Sequence, residues 1–384
     1  MSDVQKETCS SLSTALASPT PPSPPLPLPS LRKDLISLLS LIYSDATKLS
    51  IALKPPKPTY SAGISTTKEF TTHISTLGSN AASFDPNVHG RTLTEEVHRL
   101  ALSVLDAVRE LAHAHRNLLQ EGGSKGMTGA AGEDYLVKTA AIHDIVSRAK
   151  SDSPSGLSQD NIQAVRKRWN AHGETLNDAV EELDEFIKSA EEDGDEDEDD
   201  DEEQGGDGDD NDGWAEAGFD FGSSNKKKSP EQIQLAQTLR PLIHHISKVC
   251  AYAGKTMLIS PSSTPSQNPG PPPNPSPSSL DALLSTASAL TISSDELVSR
   301  IEDPSDLIEA RNEFADAIDE LAKAVDGLWV DAGAGAGEEG KVDDEQKGKE
   351  GKRKGSRIWF GLHFANVRDR VRKVEYSKPN EGGE

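Results

Sequence analysis

From Glu191 to Asp212 the chain runs EEDGDEDEDDDEEQGGDGDDND, 22 residues of which sixteen are acidic, none is basic and none is apolar. Such a stretch has nothing to bury and repels itself, so ordering it gains nothing against the entropy lost. It limits what the rest can be. A core cannot run through this tract, so the sequence predicts separate folded parts on either side of a disordered acidic linker over 191–228. The tract also accounts for most of the formal charge, because without it −24 falls to −8. The folded parts are only mildly acidic.

On both sides the apolar residues recur every three or four positions, the period of an amphipathic helix. Leu35, Leu38, Leu39, Ile42, Ala46, Leu49 and Leu53 draw one such face before Pro55, Pro56 and Pro58 end it. A weaker helix is expected over 67–77. A long one is expected from Thr92, where Glu95 three residues later completes a capping box. Its seam is Leu93, Val97, Leu100, Val104, Ala107, Leu111 and Leu118. Helices over 133–150 and 160–190 follow, the second carrying Ile162, Val165, Trp169, Leu176, Val180, Leu183 and Ile187 on one side. Beyond the acidic tract Ser229, Pro230 and Gln232 give a capped helix start, leading to about Leu258. Ser293 and Glu296 read as a further box, and Leu307, Phe314, Ile318, Leu321, Val325 and Trp329 form another apolar face.

The expected fold class is therefore all-α, two antiparallel helical bundles separated by the acidic linker. The expected parts are a Pro- and Ser-rich leader over 1–30 and a five-helix bundle over 31–190. A helical domain over 229–330 carries a disordered Pro-rich insertion at 260–279. A flexible linker spans 331–356, a terminal helix spans 357–376 and docks on that domain, and a disordered tail spans 377–384. The proline run from Pro19 to Pro29 favours extended polyproline II, which helix and sheet interiors exclude.

Several function classes are disfavoured by what the chain contains. Only Cys9 and Cys250 are present, which implies no disulfide framework and suits a reducing compartment. No apolar run approaches the roughly 20 residues of a bilayer span, and the start of the chain lacks a signal-peptide pattern. A soluble protein of the nucleus and cytoplasm is the expectation. The acidic balance argues against direct nucleic-acid binding.

Residue patterns that could carry chemistry are few. Gly335 to Lys341, GAGEEGK, has the spacing of a phosphate loop up to its lysine, but Val342 follows where Ser or Thr is needed and no apolar strand precedes it. The acidic tract fails as a calcium loop, because Asp200 and Asp212 occupy the sixth position that needs glycine. His244 and His245 diverge by about 100° on a helix, and His113 and His115 by about 200°. No nucleophile motif is present. No catalytic residue, cofactor or metal is expected.

Trp169, Trp329 and Trp359 lie in helical apolar patterns and read as core. Trp214 differs, because with Phe219 and Phe221 it stands in DGWAEAGFDF, aromatics interleaved with acids in an otherwise disordered segment. Such a segment stays solvated alone and can fold into a partner's groove, so Trp214, Phe219 and Phe221 are candidate partner-binding residues. Ser229 is a candidate phosphorylation site: it precedes proline, follows Lys226, Lys227 and Lys228, and starts a helix, where charge and dipole favour a phosphate.

The stretch Gly129 to Ala190, especially AVRKRWN followed by LNDAVEELDEF, together with ISSDELVSRIEDPSDLIEARNEF from Ile292 to Phe314, resembles the cyclin-D-binding, GCIP-like helical family. The resemblance implies a non-enzymatic nuclear and cytoplasmic adaptor that binds cell-cycle or transcription regulators, a cyclin or a helix-loop-helix regulator, through helical surfaces. The alternative is an acidic chaperone for histones or other basic proteins that acts through the tract itself.

Overall fold

The computed structural model describes residues 25–55, 57–120, 133–192, 228–259, 275–303, 306–333 and 344–375. Among them every regular element is a helix and no strand occurs. In chain order these are α1 Leu28–Ala52, α2 Tyr60–Ala82, α3 Pro86–His89, α4 Arg91–Gln120, α5 Asp134–Lys150, α6 Asn161–Glu192, α7 Pro230–Met257, α8 Pro277–Ser299, α9 Leu307–Gly333 and α10 Asp344–Val371. The all-α class is as the periodicity requires. The acidic tract lies outside the described residues except for Glu191 and Glu192, which end α6 rather than begin the expected linker.

The chain forms two compact units, neither of them contiguous. The first holds Met1–Trp169, Gly254–Leu284 and Gly327–Gly340, and the second holds Asn170–Ala253, Ser285–Asp326 and Lys341–Glu384. The boundary falls within α6, α7, α8 and α9 rather than at the acidic tract. Helices of 23 to 32 residues run about 35–48 Å at 1.5 Å per residue.

The first unit is built on α1, whose Leu31, Leu35, Leu39, Ile42 and Ala46 are fully buried and pack with Phe70 and Leu77 of α2 and Ile142 of α5. By length and composition α1 is also long and apolar enough to cross a bilayer, against the expectation that no stretch of that kind is present. Here one face of it forms the core, and Asp45 and Ser50 are buried on that helix with partners. Asp45 Oδ2 lies 2.6 Å from His73 Nδ1, and Ser50 Oγ lies 2.5 Å from Thr139 Oγ1. In α4 Leu93, Val97, Val104 and Leu111 are fully buried, as the expected seam requires, while Leu100, Ala107 and Leu118 are only partly buried and Ala101 and Val108 widen the buried stripe.

Three helix starts were expected from capping boxes, and one forms. At α7 the Gln232 N–H donates to Ser229 Oγ at 3.2 Å and the Ser229 N–H donates to Gln232 Oε1 at 2.9 Å. At α4 the box of Thr92 and Glu95 is absent, because the helix begins at Arg91 and Thr92 Oγ1 turns to Asp281, 3.4 Å away. The Leu93 N–H donates instead to Oδ1 of Asn161, at 3.0 Å. At Ser293 no helix begins. That residue is inside α8, with its hydroxyl donating to the Leu290 carbonyl at 3.1 Å. The true start is Pro277, within the expected insertion, where Ser276 Oγ accepts the Ser279 N–H at 3.2 Å. The apolar run from Leu280 to Leu297 is helical throughout, and the last helix likewise starts at Asp344 rather than near 357.

Candidate functional site

Trp214, Phe219 and Phe221 lie outside the described residues, as do Gly335 to Lys341 and Cys9. Ser229 is described and half-buried, with its Oγ engaged as the α7 cap. Its neighbour Lys228 reaches the Phe186 carbonyl at 3.3 Å and lies 4.5 Å above the centre of the Phe186 ring. Trp169 and Trp329 are core, as expected. Trp359 is not, being 36% exposed at the edge of an aromatic cluster. The apolar spacing of α10 is real, but it winds past the buried stripe of Phe360, Phe364, Val367 and Val371 onto the outer surface.

That cluster lies in the second unit. The Trp359 ring is 4.0 Å from His363, 4.9 Å from Tyr252 of α7 and 5.0 Å from Phe360. His363 Nδ1 and His245 Nε2 are 2.9 Å apart, so one of the two nitrogens carries the shared proton. Burial, then the charges of His363, Arg370 and His244, hold His245 below its ordinary range. The two histidines are 118 residues apart, which is why no local pattern announced them. Beside the rings, Ile358 at 62% and Leu362 at 66% exposure stand one turn apart on α10. The helix is fastened by Arg368 to Asp319 at 2.8 Å, Arg372 to Asp316 at 2.9 Å and Arg311 to the Val374 carbonyl at 2.6 Å. A rigid helix thus presents two exposed aliphatic side chains beside an aromatic edge, a combination enriched where proteins meet.

Among the described residues no group of three or more His, Cys, Asp or Glu could hold a metal ion. Cys250 is fully buried, and burial pushes its thiol up to about 12, so it is no nucleophile in the folded protein.

The residues that carried the family resemblance can now be placed. In AVRKRWN, Val165 and Trp169 are core, Lys167 pairs with Glu96 at 2.8 Å and Arg168 with Glu95 at 2.8 Å. Burial alone would raise the Glu95 carboxyl, but hydrogen bonds from Arg168 and Arg91 hold it below its ordinary range. In LNDAVEELDEF, Asn177 Oδ1 accepts from Ser247 Oγ at 2.6 Å and Asp184 pairs with Arg240. These motifs are joints between helices. Residues 34–189 match the family described as "Grap2 and cyclin-D-interacting, N-terminal". That segment is GCIP-like. No curated protein matches the chain. The matched GCIP-like segment ends within α6, and the α7 and α10 residues of the aromatic cluster lie beyond it.

Proposed function

We propose that this chain is a non-enzymatic protein-interaction adaptor of the nucleus and cytoplasm. It takes a cyclin-type partner through its helical surfaces and has no direct role with nucleic acid. The observation that carries the reading is the exposed face of α10, where Ile358 and Leu362 stand in solvent beside Trp359 and Tyr252. Leaving two large aliphatic side chains more than half exposed forgoes about 1 kcal/mol or more each of burial that a partner would restore. The family description names a cyclin-D-interacting protein, which supports the choice of partner.

The test is a titration of a purified D-type cyclin against the intact chain and against the double variant Ile358→Asp/Leu362→Asp, with circular dichroism to verify helix content. Binding by the intact chain and its loss in the variant support the reading. Failure of the intact chain to bind removes the cyclin. A chain that binds histones through Glu191 to Asp212, and loses them when that tract is deleted, is the acidic chaperone instead. Ser229 enters as a regulatory site, its phosphate placed on the α7 N-terminus beside Lys228. Phosphosite mapping that finds Ser229 unmodified in dividing cells removes that part.

A further inference from the structure

The second unit has an open groove of about 760 Å³ between α8 and α9. One wall is the α8 stripe of Ala289, Ile292, Ser293 and Glu296. The floor includes Ala310 and Ala317, whose methyl side chains leave unfilled the space that larger residues would occupy. Ile292 stands at the lip, 68% exposed. The opposite wall carries Asp306, Glu309, Glu313, Asp316 and Glu320.

The spacing of that acidic wall is three, four, three and four. This is the seam period by which one helix meets another. It sits directly beside the buried positions Leu307, Ala310, Phe314, Ala317 and Leu321, so the carboxylates flank the groove along about 21 Å of helix. The outer members are already engaged. Arg300 pairs with Glu296 and lies 3.7 Å from Asp306, Asp316 takes Arg372 at 2.9 Å, and Glu320 takes Lys323 at 2.6 Å. Glu309 and Glu313, at the centre, pair with no described residue. An acidic, apolar-floored groove repels nucleic acid and anionic membranes. It also disfavours a second copy of this chain, which is acidic even without its tract.

We propose that the α8–α9 groove is a docking site for a basic amphipathic helix of a partner protein. The partner's arginines or lysines, repeating every three and four residues, lie along Glu309 and Glu313, and a small apolar residue seats on Ala310 and Ala317 against Ile292. The proposal concerns other residues than the α10 face, so either can fail alone.

The probe is a fluorescein-labelled peptide of about 18 residues of Ala, Leu and Arg, long enough to form a helix with arginines on one seam. A control of the same composition has its arginines scattered around the helix. Fluorescence anisotropy with the full chain is expected to give at least about tenfold tighter binding of the seam peptide. The acidic tract attracts both peptides equally through charge. The preference is expected to vanish in Glu309→Lys/Glu313→Lys and to shrink in Ile292→Ser, all three residues being exposed and dispensable to the core. Equal binding of the two peptides by the intact chain, or a preference that survives the charge reversal, overturns the proposal.

Discussion

Replacing Gly90 with alanine is the sharpest test of how the first unit is held together. Gly90 has φ 91° and ψ 140°, a region that side chains rarely enter and that costs about 1–3 kcal/mol when they do. A Cβ built there would fall 2.0 Å from Cγ of Asn161. Asn161 would have to leave, and with it the cap on the Leu93 N–H, a loss of about 0.5–2 kcal/mol. The two effects together amount to about 1.5–5 kcal/mol, a large part of the stability of an ordinary domain. Urea unfolding, followed by circular dichroism and tryptophan fluorescence, measures it. The decisive comparison adds Asn161→Ala, expected to cost about 1 kcal/mol alone. With the amide side chain gone the clash disappears, so Gly90→Ala in that background should cost only the backbone strain. The double variant should therefore be more stable than the sum of the singles implies. Strict additivity, or a Gly90→Ala cost under about 1 kcal/mol, would refute this account of the joint.

Burial pushes His115 down to about 4 from its ordinary 6.5. The unfolded imidazole takes a proton near pH 6.5 and the folded one only near 4, so stability is full above that window and falls as pH drops through it, by up to about 3 kcal/mol. His98, lowered mainly by burial, acts in the same sense. Urea midpoints at pH 7 and 4.5 should converge in His115→Phe. Cys250 should resist iodoacetamide in the native protein at pH 8 and react once urea is added, as peptide mass mapping would read; modification without denaturant contradicts its burial. Pro241 lies exposed inside α7, where it denies the Gln237 carbonyl an N–H, so Pro241→Ala should raise the melting temperature, a gain of at most about 3 kcal/mol. No gain would mean that the helix has already adapted to the ring.

The helices were legible because burying one face imposes a three-and-four period that survives whatever lies across the core. What the sequence hid was non-local. Thr92 and Glu95 have the spacing of a cap, but Asn161 satisfies the α4 start from 68 residues away, leaving Thr92 for Asp281 and Glu95 for Arg168. Ser293 and Glu296 have the same spacing, yet they lie in an apolar run that stays helical, so α8 begins at Pro277 and passes through them. Trp359 fits the apolar pattern of α10 and is nonetheless half out of the core, because pattern alone does not say which edge of a wide stripe faces solvent. The site was the least legible part. His245 meets His363 across 118 residues, and the α8–α9 groove needs two helices whose relation no local spacing encodes. The motif ISSDELVSRIEDPSDLIEARNEF did mark the place, since it supplies much of both walls.

The interleaving of the two units sets a timetable for synthesis. The first unit draws on Gly254–Leu284 and Gly327–Gly340 as well as on the start of the chain, and Thr92 waits for Asp281. At about 5–20 residues per second, the stretch that follows Trp169 up to the end of α9 at Gly333 takes about 8–33 s to make. The part of the protein that emerges first is thus among the last to be completed. During that interval the Thr92 end of α4 stands without Asp281, and that unfinished end is what a chaperone at the ribosome would meet.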